Sequence, residues 1–157
     1  MQNQGLIMKI SKAISIISFL ILITVFDLSG CSEISQGVQR QKFEYLYKMN
    51  NYSSLFREYT GAITYPGDLD LYQNRMKKMY ENVNGMKVIS GYEASTNLKE
   101  NFLTAIEENM KAAEKLKQEK NTEKENIRND YIIMEMNDRT DNFIKDLNAE
   151  ISRVGKE

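Results

Sequence analysis

The sequence predicts an all-α protein, an antiparallel bundle of three or four helices behind a short N-terminal leader. From Phe43 onward, apolar residues recur at spacings of three and four through successive segments, which is the period of a helix face and not the alternation of a strand. A single Pro in 157 residues leaves few turns for a sheet. Ala, Lys and Glu fill many of the intervening positions in the later segments, and these residues lose little on entering a helix.

The leader comes first. Lys9 and Lys12 precede an uncharged fourteen-residue run from Ala13 to Phe26, too short for the roughly 20 apolar residues of a bilayer-spanning helix but the length of a signal-peptide core. Met8 opens MKISK, a more typical basic start than MQNQGLI, and is an alternative initiation site. Asp27 interrupts the apolar approach, and then Leu28-Ser29-Gly30-Cys31 follows. In this order of charge, apolar run, small residues and sole Cys, the N-terminus resembles the signal peptide and lipobox of bacterial lipoproteins. That resemblance implies recognition of Leu28, Ser29 and Gly30 by signal peptidase II, removal of residues 1–30, and diacylglyceryl and palmitate attachment at Cys31. Acyl chains contribute roughly 0.8 kcal/mol per buried methylene, enough in combination to hold a protein at a membrane without a spanning helix. The implied location is the extracytoplasmic face of a bacterial membrane, or the outer membrane in a diderm host, where Ser32 lacks the Asp associated with inner-membrane retention.

Behind Cys31 the reading is a short polar tether over residues 31–38, containing Gly37, and a helical domain over 39–157. A first helix carries Phe43, Leu46, Tyr47, Met49, Tyr52, Leu55, Phe56 and Tyr59 and ends at Gly61 or Pro66-Gly67. Asp68 can cap a second, whose Leu69, Tyr72, Met76, Met79, Val83 and Met86 form a narrow seam like that of a coiled coil. Gly91 is its expected stop. A third helix begins near Glu93 or Ser95 and buries Leu98, Phe102, Ile106, Met110, Ala113 and Leu116. Thr122-Glu-Lys-Glu125 matches a capping box that would start a fourth helix; one uninterrupted helix is the alternative. The last segment offers Ile127, Tyr131 and Met134, a polar interval at Asn137 to Asn142, then Ile144, Leu147, Ile151 and Val154.

Composition narrows the chemistry. There is no His, hence neither the commonest general base nor the commonest metal ligand, and one Cys forms neither an internal disulfide nor a CxxC zinc site. A formal charge of -1 gives no basic field for nucleic acid. Asp68-Leu-Asp70 begins like a calcium loop, but Gln73 and Met79 stand where Gly and Glu are required. The pairs Glu107-Glu108 and Asp138 with Asp141 read as solvent-facing, since di-iron bundle sites need a Glu-x-x-His pattern. Lys111 to Arg128 is a mixed-charge run, read as a solvated helix face. The expectation is therefore no catalytic residue, no metal and no cofactor.

Tyr residues concentrate between Tyr45 and Tyr92. Tyr47, Tyr52, Tyr72 and Tyr80 fit a core edge with hydroxyls reaching water. Tyr65 and Tyr92 lie beside Gly between predicted helices, where helix periodicity does not account for them, and are the candidate partner contacts. The expected function is a non-enzymatic, lipid-anchored interaction module binding a protein or other envelope component. Val38 to Leu69, with YSSLFREYTG and then YPGDL, also resembles helical minor-pilin subunits of type IV secretion, which implies a mobile-element system; lipoproteins that exclude phage or plasmids share this class. A carboxylate-dependent cell-wall hydrolase is the third option, and needs two carboxyls flanking a cleft that a narrow bundle does not suggest.

Overall fold

Four helices form among the residues that the computed structural model describes, 33–63, 69–118 and 123–157. They are α1 (Glu33–Gly61), α2 (Leu69–Asn84), α3 (Glu93–Gln118) and α4 (Glu123–Val154). The chain divides into two units, Met1–Gly37 and Val38–Glu157. The first is described only where α1 enters it, and the second holds the bundle. No described helix is long and apolar enough to cross a membrane.

Helix begins at Glu33, so residues 33–38, read from the sequence as part of a short polar tether, belong to α1. Once the downstream turns exist, each added residue gains a backbone hydrogen bond at little nucleation cost, and this outweighs the roughly 1 kcal/mol penalty of Gly37.

Contacts fix the topology as up-down-up-down. Thr60 meets Tyr72, with 3.3 Å between their hydroxyl oxygens, and Arg75 sits 4.7 Å from the Tyr59 ring, pairing α1 with α2 in opposite directions. Gln73 donates to Glu114 at 2.9 Å and Lys99 reaches the Asn84 carbonyl at 2.6 Å, so α3 reverses α2. Asn109 donates to the Met136 carbonyl at 3.1 Å. In one continuous helix these residues would stand about 40 Å apart; α3 and α4 are therefore two separate helices that pack side by side. The uninterrupted-helix alternative is thereby excluded, and Thr122 itself lies outside the described residues. Arg57 to Asp141 at 2.7 Å and Lys42 to Glu157 at 2.8 Å close the ring between α1 and α4.

The core follows the expected stripes in α2 and α3. Leu69, Tyr72, Met76, Met79 and Val83 are buried from α2, and Leu98, Phe102, Ile106, Ala113 and Leu116 from α3. Phe102 lies stacked on Phe143 with centroids 4.2 Å apart, and Phe56 from α1 tilts against it at 5.5 Å. Two boundaries differ. α2 stops at Asn84, before Gly85, instead of running on to Gly91. The Lys99 ammonium takes the freed carbonyls of Asn84 and Met86, a cap supplied from the next helix that local sequence does not display. In α4, Tyr131 and Met134 of the expected apolar face point outward, 57% and 50% exposed, while Asn129, Ile132 and Met136 face inward.

Candidate functional site

Of the expected site residues, Cys31, Leu28, Ser29, Gly30 and Tyr65 lie outside the described residues, as does Asp68. Tyr92 is described, and it is not exposed as the sequence suggested. Its side chain is 4% exposed, and its hydroxyl donates to Glu150 Oε1 at 2.6 Å. Gly91 explains the correction: at φ +78° it adopts a left-handed conformation open to glycine, and the chain turns there so that Tyr92 enters the bundle ahead of α3. Ser95 locks the turn, its hydroxyl accepting from the Ile89 N–H at 2.9 Å and donating to the Tyr92 carbonyl at 2.7 Å. The buried Tyr45 hydroxyl donates to the Ser95 carbonyl at 2.5 Å, and burial pushes that phenol up to about 12.

Around Tyr92 a polar clasp joins the beginning of the described bundle to its C-terminus. Arg153 grips Glu150 through two nitrogens, at 2.9 and 2.6 Å, and also meets Glu157. Glu157 accepts from Lys42 at 2.8 Å and Gln39 at 3.2 Å, and the Lys42 ammonium lies 5.4 Å from the Tyr92 ring centre. The Arg153 hydrogen bonds, with a further one from Tyr92, hold Glu150 below the usual carboxylate range against the opposing effect of burial. Lys42, followed by Gln39, does the same for Glu157. Desolvation first, then the Glu150 carboxylate, raises the Tyr92 phenol, so it remains protonated and acts as a donor.

A second polar group lies in the core and draws on every helix. Asn109 is fully buried; its amide nitrogen donates to the Met136 carbonyl at 3.1 Å and to Thr140 Oγ1 at 3.2 Å, and its oxygen accepts from Arg139 at 2.8 Å. Tyr72 joins it through Thr60; burial pushes its phenol up to about 12 against the lowering effects of Thr60, Asn109 and the Arg139 charge. Arg139 continues outward to Glu108 at 3.2 Å and Glu135 at 3.6 Å. Such a layer matches donors to acceptors and so specifies helix register, whereas apolar contacts tolerate sliding. Periodicity alone passes over Asn109, which sits as polar filler between Ile106 and Met110. The polar interval at Asn137 to Asn142 was the available signal, since an inward Thr140 requires a polar partner.

The remaining candidates separate clearly. Tyr72 is buried, Tyr52 and Tyr80 are partly buried, and Tyr47 is 48% exposed. The Glu107 carboxylate raises the Tyr80 phenol, while Glu108 and Asp141 serve Arg139 and Arg57. The carboxylates singled out as pairs thus have separate partners, apart from Asp138, which is exposed. Among the described residues no three acidic or Cys side chains converge in a geometry that could hold a metal ion. What the described surface does display is the outward face of α4, where Tyr131 and Met134 lie one turn apart.

No family model, curated protein or solved structure matches the chain.

Proposed function

We propose that the protein is a lipid-anchored, non-enzymatic interaction module of a bacterial envelope, acylated at Cys31 and presenting a helical bundle to a protein partner. The observation behind the anchor is the order of Lys9 and Lys12, the run from Ala13 to Phe26, and Leu28-Ser29-Gly30-Cys31. With helix starting at Glu33, only Ser32 separates the acylated residue from α1.

The partner-binding half of the reading rests on α4. Singly exposed apolar residues are ordinary, but two large ones on adjacent turns of an otherwise polar face provide contact area. Several polar side chains inside the bundle are engaged: the hydroxyls of Tyr45, Tyr72 and Tyr92 meet the Ser95 carbonyl, Thr60 and Glu150, which suits a scaffold. The minor-pilin reading gains less. Thr60 is fully buried against Tyr72 and Leu69 is a core residue, so the shared positions have packing roles independent of any secretion system.

The test is metabolic labelling with a fatty acid and fractionation. Labelled fatty acid should enter the full-length protein, inhibition of signal peptidase II should leave a larger precursor, and Cys31→Ala should abolish the label and release the protein from membranes. Membrane retention of Cys31→Ala together with an unlabelled parent protein would overturn the anchor.

A further inference from the structure

We infer that the first three turns of α4, Glu123 to Ile133, form a flap that opens from the bundle while the rest of α4 stays docked. Asn129 carries the inference. It is 1% exposed, yet neither its side-chain nitrogen nor its side-chain oxygen has a hydrogen-bond partner. A buried amide in that state has lost its hydration without gaining a bond, so these turns are held closed against a penalty that opening relieves.

The adjoining residues offset little of it. Between Arg128 and Glu135 the one buried apolar side chain is Ile132, with Ile133 partly buried, because Tyr131 and Met134 are 57% and 50% exposed. From Asn129 to Glu135 no side chain hydrogen-bonds or ion-pairs with another helix among the described residues; Glu135 meets Arg139 of its own helix. Attachment changes at Met136. Its carbonyl accepts from Asn109, Thr140 and Arg139 extend that link, and Phe143 stacks on Phe102. The same antiparallel register, followed two turns on along α3 and two turns back along α4, places Asn129 level with Leu116, the fully buried last residue of the α3 stripe. Opening therefore bares the end of an apolar stripe at Leu116 and leaves the Asn109 layer closed. A segment held by few apolar contacts beside a firmly packed one opens at less cost than global unfolding.

Hydrogen–deuterium exchange of the full chain in detergent micelles, read by mass spectrometry and corrected for intrinsic rates, is the test. Amides of residues 129–135 should exchange at least about tenfold faster than those of 140–147, at a rate that low urea leaves unchanged. Asn129→Leu should slow exchange over 129–135 about tenfold, since closing no longer strands an amide. Asn129→Ala takes its place if circular dichroism shows the leucine variant misfolded. Ile144→Val, a trim in the docked half, should speed exchange over 140–147 several-fold and leave 129–135 as it was. Equal protection of the two stretches would overturn the flap, as would exchange over 129–135 that responds to low urea or to Ile144→Val. Exchange that Asn129→Leu, or Asn129→Ala in its place, leaves unchanged or accelerates would show that the amide is satisfied when closed, by an internal water for instance, and would overturn it as well.

Discussion

Asn109 of α3 and Thr140 of α4 meet at 3.2 Å inside the bundle, where both are shielded from water and the same amide also reaches the Met136 carbonyl. A buried amide held by three partners has a well-defined geometry, and α3 and α4 are aligned by it. Sliding the helices by one turn would put Asn109 against apolar side chains, leaving its donors and acceptor unmet.

Replacing Asn109 with Leu should therefore destabilise the protein by about 1–3 kcal/mol, because Arg139 and Thr140 lose a buried partner. Adding Thr140→Val should cost less than the two single changes summed, since the second substitution removes a group already orphaned by the first. Urea denaturation of the four proteins in the cycle measures this; strict additivity would show that the two side chains do not act as a unit.

The aromatic stack predicts a larger effect. Phe102 is fully buried between Phe56 and Phe143, and Phe102→Ala should cost about 3–5 kcal/mol through lost transfer energy and the remaining cavity. Leu71→Ala, at an exposed position, should change stability by less than about 0.5 kcal/mol. Thermal and chemical denaturation of both variants provides the comparison.

Two glycines should respond with opposite sign. Gly37 lies in α1 with nothing near the position of a Cβ, so Gly37→Ala should stabilise by about 0.4–1 kcal/mol by restricting the unfolded chain. Gly91 has φ +78°, so Gly91→Ala should destabilise by about 1–2 kcal/mol, the cost of placing a Cβ in the left-handed region. Equal shifts in denaturation midpoint would contradict the turn that delivers Tyr92 to the core.

Stability should decline at both ends of the pH range. Glu150 and Glu157 have lowered pKa values in the folded protein, so their contribution is present above the ordinary value of 4.5 and is lost as pH falls through the folded values. Tyr45 and Tyr72 are raised from 10.0 to about 12. Their contribution is complete below pH 10.0 and disappears as pH rises through about 12. Denaturation midpoints across pH 3–12 test both limbs, and Glu150→Gln together with Glu157→Gln should flatten the acid limb.

Much of the bundle was legible in the sequence. Leu69, Tyr72, Met76, Met79 and Val83 fall on one side of a helix whatever surrounds them, because residue spacing sets direction around the axis. The same rule failed at Tyr131 and Met134. α4 has apolar residues on both sides in its first half, and spacing cannot say which side the other helices cover. Tyr92 failed for a different reason, since a residue between helices has no period and its burial depended on Gly91 and on Glu150, 58 residues away.

The sequence by itself determined the all-α class and the α2 and α3 core stripes, since these depend on residue type and local spacing. Only the tertiary structure decided that Asn109 and Thr140 turn inward together, and that Tyr92 is held in the core while Tyr131 and Met134 face out. Each of those outcomes rests on which helix lies alongside, a matter of packing between residues far apart in the chain. A period within one helix gives the direction of a side chain but not what it meets.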